Sequence, residues 1–109
     1  MRKHIYVAGP LSGDFDGNRD RAIDAADQLL AVGLYPFVPH LIVEWHRRHP
    51  HHYEVWMVLD FAWIRRCDAL YRMPGPSPGA DREVAFAHEL GLPVFHTISD
   101  VIVWAKEDE

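Results

Sequence analysis

The chain has 109 residues, 49% of them hydrophobic and 25% charged, which describes one globular domain with a single core and no separate substrate domain. A net charge of −5 and a pI near 5.8 exclude the basic stripe of a nucleic-acid polymer binder, while a small nucleotide needs only a few local donors. No apolar run reaches the ~20 residues of a membrane span, Met1-Arg2-Lys3-His4 passes into a strand without a leader, and the lone Cys67 fits a reducing compartment; a cytoplasmic protein is expected.

Taken in chain order, Ile5-Tyr6-Val7-Ala8 reads as a buried strand ended by Gly9-Pro10. A loop with Gly13 and Gly17 leads to Asn18, the expected N-cap of a first helix. Ala22, Ala26, Leu29 and Leu30 mark one face of that helix, and Gly33 stops it. Tyr35 to Val38 is a short second strand held between Pro36 and Pro39. A short helix is expected from Leu41 to Arg47, then a longer one from Tyr53 to Arg66 with Trp56, Leu59 and Trp63 on one side. Asp68 to Tyr71 is the third strand, Asp81 to Leu90 the third main helix and Pro93 to His96 the fourth strand. Ser99 to Lys106 reads as a last helical element. Strands that alternate with helices across short loops predict an α/β, flavodoxin-like fold: a parallel four- to five-stranded sheet with helices on both faces, residues 1–109 forming one domain.

Two acidic positions stand out. The stretch Ser77-Pro78-Gly79-Ala80-Asp81-Arg82-Glu83 reads as a Pro/Gly-rich loop entering a helix at the carboxyl end of a βαβ unit, where open parallel sheets hold their ligands. On this reading Glu83 lies in the first helical turn. Backbone N–H groups there are expected to keep it ionised, as a carboxylate nucleophile must be, and to hold a phosphate. Asp60 falls four residues after Trp56 and four before Ile64, on an apolar helix face. It is either a residue at the margin of that face or a second active-site acid whose pKa is raised by its apolar neighbours.

Three blocks of the chain resemble the nucleoside 2-deoxyribosyltransferase superfamily, which includes the deoxynucleoside 5′-monophosphate N-glycosidases. They are Ile5-Tyr6-Val7-Ala8-Gly9-Pro10, then Asp60-Phe61-Ala62-Trp63-Ile64-Arg65-Arg66-Cys67-Asp68, then Ser77 to Glu83 with Ala87 and Gly91-Leu92-Pro93-Val94. The resemblance implies Glu83 as the nucleophile that attacks C1′ and forms a covalent glycosyl intermediate. It implies Tyr6 as the tyrosine that positions this glutamate, and Asp60 as the aspartate that contacts the sugar hydroxyl and helps protonate the leaving base. Asp68 matches a second acidic position and is read as structural. Gly9 and Gly79 are expected to let the backbone approach the ligand closely.

Ser77 divides the superfamily. Six positions before the nucleophile, members that act on free nucleosides carry an aspartate, and the monophosphate N-glycosidases a serine with room for the phosphate. The loop Leu11-Ser12-Gly13-Asp14-Phe15-Asp16-Gly17-Asn18-Arg19 is acidic where that branch offers basic contacts, with Ser12, Arg19 and Arg21 as the compensating donors. His40 occupies the region where the family touches the base. Trp45 and Trp56 are read as core residues ahead of stacking platforms. The five histidines from His40 to His52 match no zinc template, so a solvated loop and no metal are expected; Cys67 reads as a buried small hydrophobe.

The resulting expectation is an enzyme, without cofactor, that cleaves the N-glycosidic bond of a nucleoside 5′-monophosphate or nucleoside, by hydrolysis or by transfer to a second base. One alternative is a nucleoside 2-deoxyribosyltransferase restricted to free nucleosides; another is a non-catalytic nucleotide sensor on the same fold. The partner is a small molecule, with no nucleic-acid polymer and no membrane, and the resemblance implies a homodimer or higher homo-oligomer.

Overall fold

Ile5, Tyr6, Val7 and Ala8 are all fully buried because their strand is interior to the sheet, with a neighbour on each edge. The computed structural model describes residues 3–107; Met1 and Arg2, where the leader question falls, lie outside the described residues. Strand β1 (His4–Ala8) pairs with β2 (Tyr35–Phe37) on one side and β3 (Ala69–Arg72) on the other, and β3 pairs with β4 (Val94–Phe95). All pairings are parallel and the order is β2-β1-β3-β4, with Tyr6 opposite both Phe37 and Leu70. This is the expected flavodoxin-like α/β class, with four strands among the described residues.

Helices α1 (Phe15–Ala31) and α5 (Ile98–Glu107) cover one face; α3 (Tyr53–Ile64) and α4 (Pro78–Glu89) cover the other. Alternation along β1 feeds both layers: Ile5 and Val7 enter the α1/α5 core, Tyr6 and Ala8 the α3/α4 core. The chain leaves β1 towards β2 and later crosses back to β3. The carboxyl ends of β1 and β3 therefore flank the switch point, where the crevice of such a sheet opens.

Two helices start earlier than the sequence reading. Helix α1 begins at Phe15, because the Asp14 side chain accepts the Gly17 N–H at 3.1 Å. A Cβ at Gly17 would collide with that carboxylate, so the glycine makes the cap feasible. Asn18 is then a buried helical residue whose side-chain amide donates to Ser12 O at 3.0 Å. Of the expected α1 face, Ala22 and Leu29 are buried, Ala25 joins them, and Leu30 is exposed. Helix α4 begins at Pro78, capped by Ser77, whose Oγ accepts the Ala80 N–H at 3.1 Å. Proline at the first helical position lacks only an N–H that would have no helical partner, so Pro78-Gly79 opens the helix.

Between β2 and α3, a single 3-10 turn (Pro39–Leu41) runs into α2 (Ile42–Arg48). The buried residues of α3 are Trp56, Met57, Asp60 and Ile64; Trp63 is half exposed and stacks on Phe37, at 4.7 Å between ring centres. Among the described residues no helix is long and apolar enough to cross a membrane.

Candidate active site

Tyr6, Asp60 and Glu83 come from β1, α3 and α4, and the α3/α4 face of the sheet brings them together in a buried group. Tyr6 Oη donates to Glu83 Oε2 at 2.5 Å, in the range of a charge-assisted bond. Asp60 is 7% exposed, and its Oδ1 is buried without a hydrogen-bond partner among the described residues. Because α4 starts at Pro78, Glu83 lies in the second turn, beyond the free N–H groups of the helix start. The expectation that those groups keep it ionised is therefore corrected. Burial pushes Glu83 above its ordinary 4.5, and the neighbouring Asp60 charge adds to the rise. The Tyr6 hydrogen bond and the Arg72 charge pull it back. Burial also raises Asp60 above its ordinary 3.8. Tyr6 is raised by burial and by both carboxylates, which fixes it as an O–H donor.

Asp60 and Glu83 open onto a pocket of about 900 Å³, the size class that takes a small metabolite. Of the other residues singled out in the sequence, Gly9, Ser12, Ser77 and Gly79 also line it. Ser77 has a double position. Its Oγ caps α4, which leaves the hydroxyl proton available as a donor at the pocket wall. A Cβ on Gly9 would press on the Met73 side chain at 3.0 Å, an intramolecular reason for glycine there, whereas one on Gly79 would meet only the Tyr53 hydroxyl at 3.3 Å.

Arg19 and His40 lie elsewhere, on a separate groove beside α2. Arg19 pairs with Asp16 and Asp20 and lies over the Phe15 ring. His40 is 3% exposed, and its Nε2 donates to Pro10 O at 3.2 Å, tying the turn after β2 to the end of β1. Burial lowers its pKa, so it is a neutral internal anchor and does not line the pocket. The acidic loop is similarly occupied: Asp14 caps α1 and Asp16 pairs with Arg19. Asp68 accepts the His4 backbone N–H at 2.8 Å, in keeping with a structural role. Cys67 is buried and its thiol is pushed up to about 11, which makes it a poor nucleophile.

Several pocket residues were not legible as such. His46, His51 and His52 line the wall, although their spacing reads as a solvated loop; Trp56, read as a core residue ahead of a stacking platform, is buried and lines the pocket as well. Arg82 sits at the lip, held to Glu54 by bonds of 2.6 and 3.1 Å and lying over the Tyr53 ring. Arg72, 11% exposed, bonds Asp81 at 2.9 Å while its charge acts on Glu83.

A family model described as "Domain of unknown function (DUF4406)" matches residues 3–96. Among solved structures, a 2-deoxyribosyltransferase from Bacillus psychrosaccharolyticus is 20% identical with a TM-score of 0.62, over 84% of this chain and 69% of that one. A 2-deoxyribosyltransferase from Leishmania mexicana is 21% identical with a TM-score of 0.66, over 84% of this chain and 61% of that one. A conserved protein from Enterococcus faecalis V583 is 18% identical with a TM-score of 0.68, over 86% and 62%. This chain thus spans 61% to 69% of the length of these three neighbours and shares their fold. No curated protein matches it by sequence.

Proposed function

Since the chain belongs to the DUF4406 family and has the fold of the 2-deoxyribosyltransferases, we propose that it is an enzyme that cleaves the N-glycosidic bond of a deoxynucleoside 5′-monophosphate by way of a glycosyl-Glu83 intermediate. The observation that carries this reading is the buried Tyr6–Glu83 hydrogen bond beside Asp60 at the base of the pocket. A binding protein has no use for two desolvated carboxyls at one point; a double displacement needs both.

The pair enters the reaction with one proton, which burial retains. Productive chemistry has that proton on Asp60 and the charge on Glu83. At rest the more strongly raised Glu83 holds the proton, so it must pass to Asp60 as substrate binds; the Arg72 charge favours that transfer because it stabilises the Glu83 anion, while the Tyr6 bond lowers both carboxyls. Glu83 then bonds to C1′ as the C1′–N bond breaks, the electron pair passes to the base, and Asp60 delivers its proton to the departing nitrogen. In the second step water attacks C1′, Asp60 takes its proton, and Glu83 leaves as a carboxylate. A second base in place of water gives transfer. At the other end of the sugar, the Ser77 hydroxyl, the Gly79 N–H and Ser12 are the donors offered to a 5′-phosphate.

The same reading includes self-association through α3. That helix is apolar outside as well as inside, with Val58 65% and Trp63 45% exposed, and a second copy is the proposed cover. Sedimentation at micromolar concentration tests it, a monomer being the contrary outcome.

Incubation with a panel of nucleosides and their 5′-monophosphates, followed by chromatography for free base, tests the reaction. Base release from monophosphates supports the proposal. Cleavage confined to free nucleosides overturns the phosphate assignment, a new nucleoside formed with an added base marks a transferase, and tight binding without turnover marks a sensor. Tyr6→Phe is expected to slow base release roughly 10- to 100-fold, the worth of one hydrogen bond to a charged group. Without that bond the Glu83 pKa climbs further, so the acid limb of the pH–rate profile moves to higher pH in this variant.

A further inference from the structure

The α2–α3 wall of the pocket holds an arrangement that the reaction above does not use. Trp56 is 8% exposed and lines the pocket. Its indole N–H donates to His46 Nδ1 at 2.8 Å, and the His51 backbone N–H reaches the same nitrogen at 3.3 Å. An indole nitrogen only donates, so Nδ1 must present its lone pair, and the neutral His46 ring carries its proton on Nε2. Trp45, His46 and His51 stand steeply tilted to the Trp56 ring, with ring centres 5.1, 5.8 and 5.3 Å away. The indole is therefore anchored at its one polar atom and braced by three other rings.

Its position matters for the leaving group. Trp56 precedes Asp60 by one turn on the same buried face of α3, about 6 Å along the helix axis. A base that takes its proton from Asp60 extends from that carboxyl along the wall that Trp56 forms. We propose that Trp56 is the stacking surface for the leaving nucleobase, and that His46 is a positioning residue that holds the indole through Nδ1. This rests on the N-glycosidase reading of the site. Stacking accepts any base, because every base has a π-face, so this end of the pocket grips the base without selecting one strongly.

Two substitutions separate anchoring of Trp56 from direct contact with the substrate. Asparagine places an acceptor where histidine has Nδ1; glutamine places its amide where histidine has Nε2. Base release is measured for the wild type, His46→Asn, His46→Gln and Trp56→Leu on the best substrate of the panel, together with calorimetric titration of the free base. His46→Gln and Trp56→Leu are expected to raise KM, and the Kd of the base, about tenfold or more with a smaller change in kcat. His46→Asn recovers most of that loss. A purely structural role lowers Tm in both His46 variants without separating their KM values, and overturns the proposal. The reverse order, with glutamine better than asparagine, also overturns it, since His46 then acts on the substrate through Nε2. If the wild type turns over substrate but His46→Asn is no better than His46→Gln, the stacking proposal falls and the reaction stands. If the wild type binds the base with the expected order of variants but releases none, the reaction falls and the stacking surface stands. Failure of the wild type to bind any base removes the stacking surface.

Discussion

Glu83→Gln is expected to abolish base release and, at alkaline pH, to make the folded protein more stable. The loss of rate is roughly 10,000-fold or more, since an amide cannot form the glycosyl ester on which both halves of the reaction depend. The gain in stability follows from burial. Glu83 is 5% exposed, and its carboxyl is raised above its ordinary 4.5, first by burial and then by the Asp60 charge. A carboxyl raised in the native state holds its proton more tightly there than in the unfolded chain. Its contribution is fully present below the unfolded value and is lost as pH rises through the native one. Glutamine has no proton to lose. The difference in Tm between variant and wild type should therefore be small at about pH 4 and grow to roughly 5–10 °C at about pH 9, the scale of one or two kcal/mol in a domain of this size. Thermal unfolding across that range, with chromatography for free base, checks both halves. A variant that keeps its turnover removes Glu83 from the chemistry.

Asp60→Asn is the second large effect, a fall of about 100- to 10,000-fold in kcat, the usual worth of a positioned acid or base. The defect is expected to depend on the base: largest for a poor leaving group, smallest for one that departs without protonation. The pH profile gives a sharper test. With a single proton shared by two raised carboxyls, the wild type should show a bell whose limbs both lie above the ordinary carboxylate range. Asparagine removes the alkaline limb, which reports the loss of the Asp60 proton. An unchanged profile assigns the alkaline limb to another group and takes Asp60 out of proton transfer.

The sheet was legible because β1 is uninterrupted: Ile5 to Ala8 is apolar on both faces, as an interior parallel strand must be. The helix starts were less so. Asp14 and Asn18 are both good caps, and the choice between them depended on Gly17 admitting the Asp14 carboxylate. Pro78-Gly79 carries turn chemistry and helix-start chemistry at once, and the reading of Glu83 as a first-turn residue inherited that ambiguity. Within the candidate site, Glu83 and Asp60 could be named from their setting, an acid where a Pro/Gly-rich stretch enters a helix and an acid on an apolar face, whereas Tyr6 was named only through the resemblance of its strand. Trp56 could be named only as a core residue ahead of a stacking platform, and His46 only as part of a solvated loop, because their partnership is set by the packing of α2 on α3 and has no period in the sequence. His40 misled for the opposite reason: it occupies the expected place after β2, but its ring turns to the Pro10 carbonyl.

In the proposed reaction Ser77 joins the stability of a helix to the identity of a ligand in a single hydroxyl. Serine and aspartate cap helices almost equally well, so folding is nearly indifferent between them. A phosphate dianion at the same wall is not indifferent: one donates to it and the other repels it. If the proposed phosphate contact holds, a lineage can pass between phosphorylated and free substrates at this position through one substitution, with α4 intact throughout. Selection on substrate then acts at a residue where selection on folding is almost silent, and specificity here is free to drift faster than the architecture that displays it.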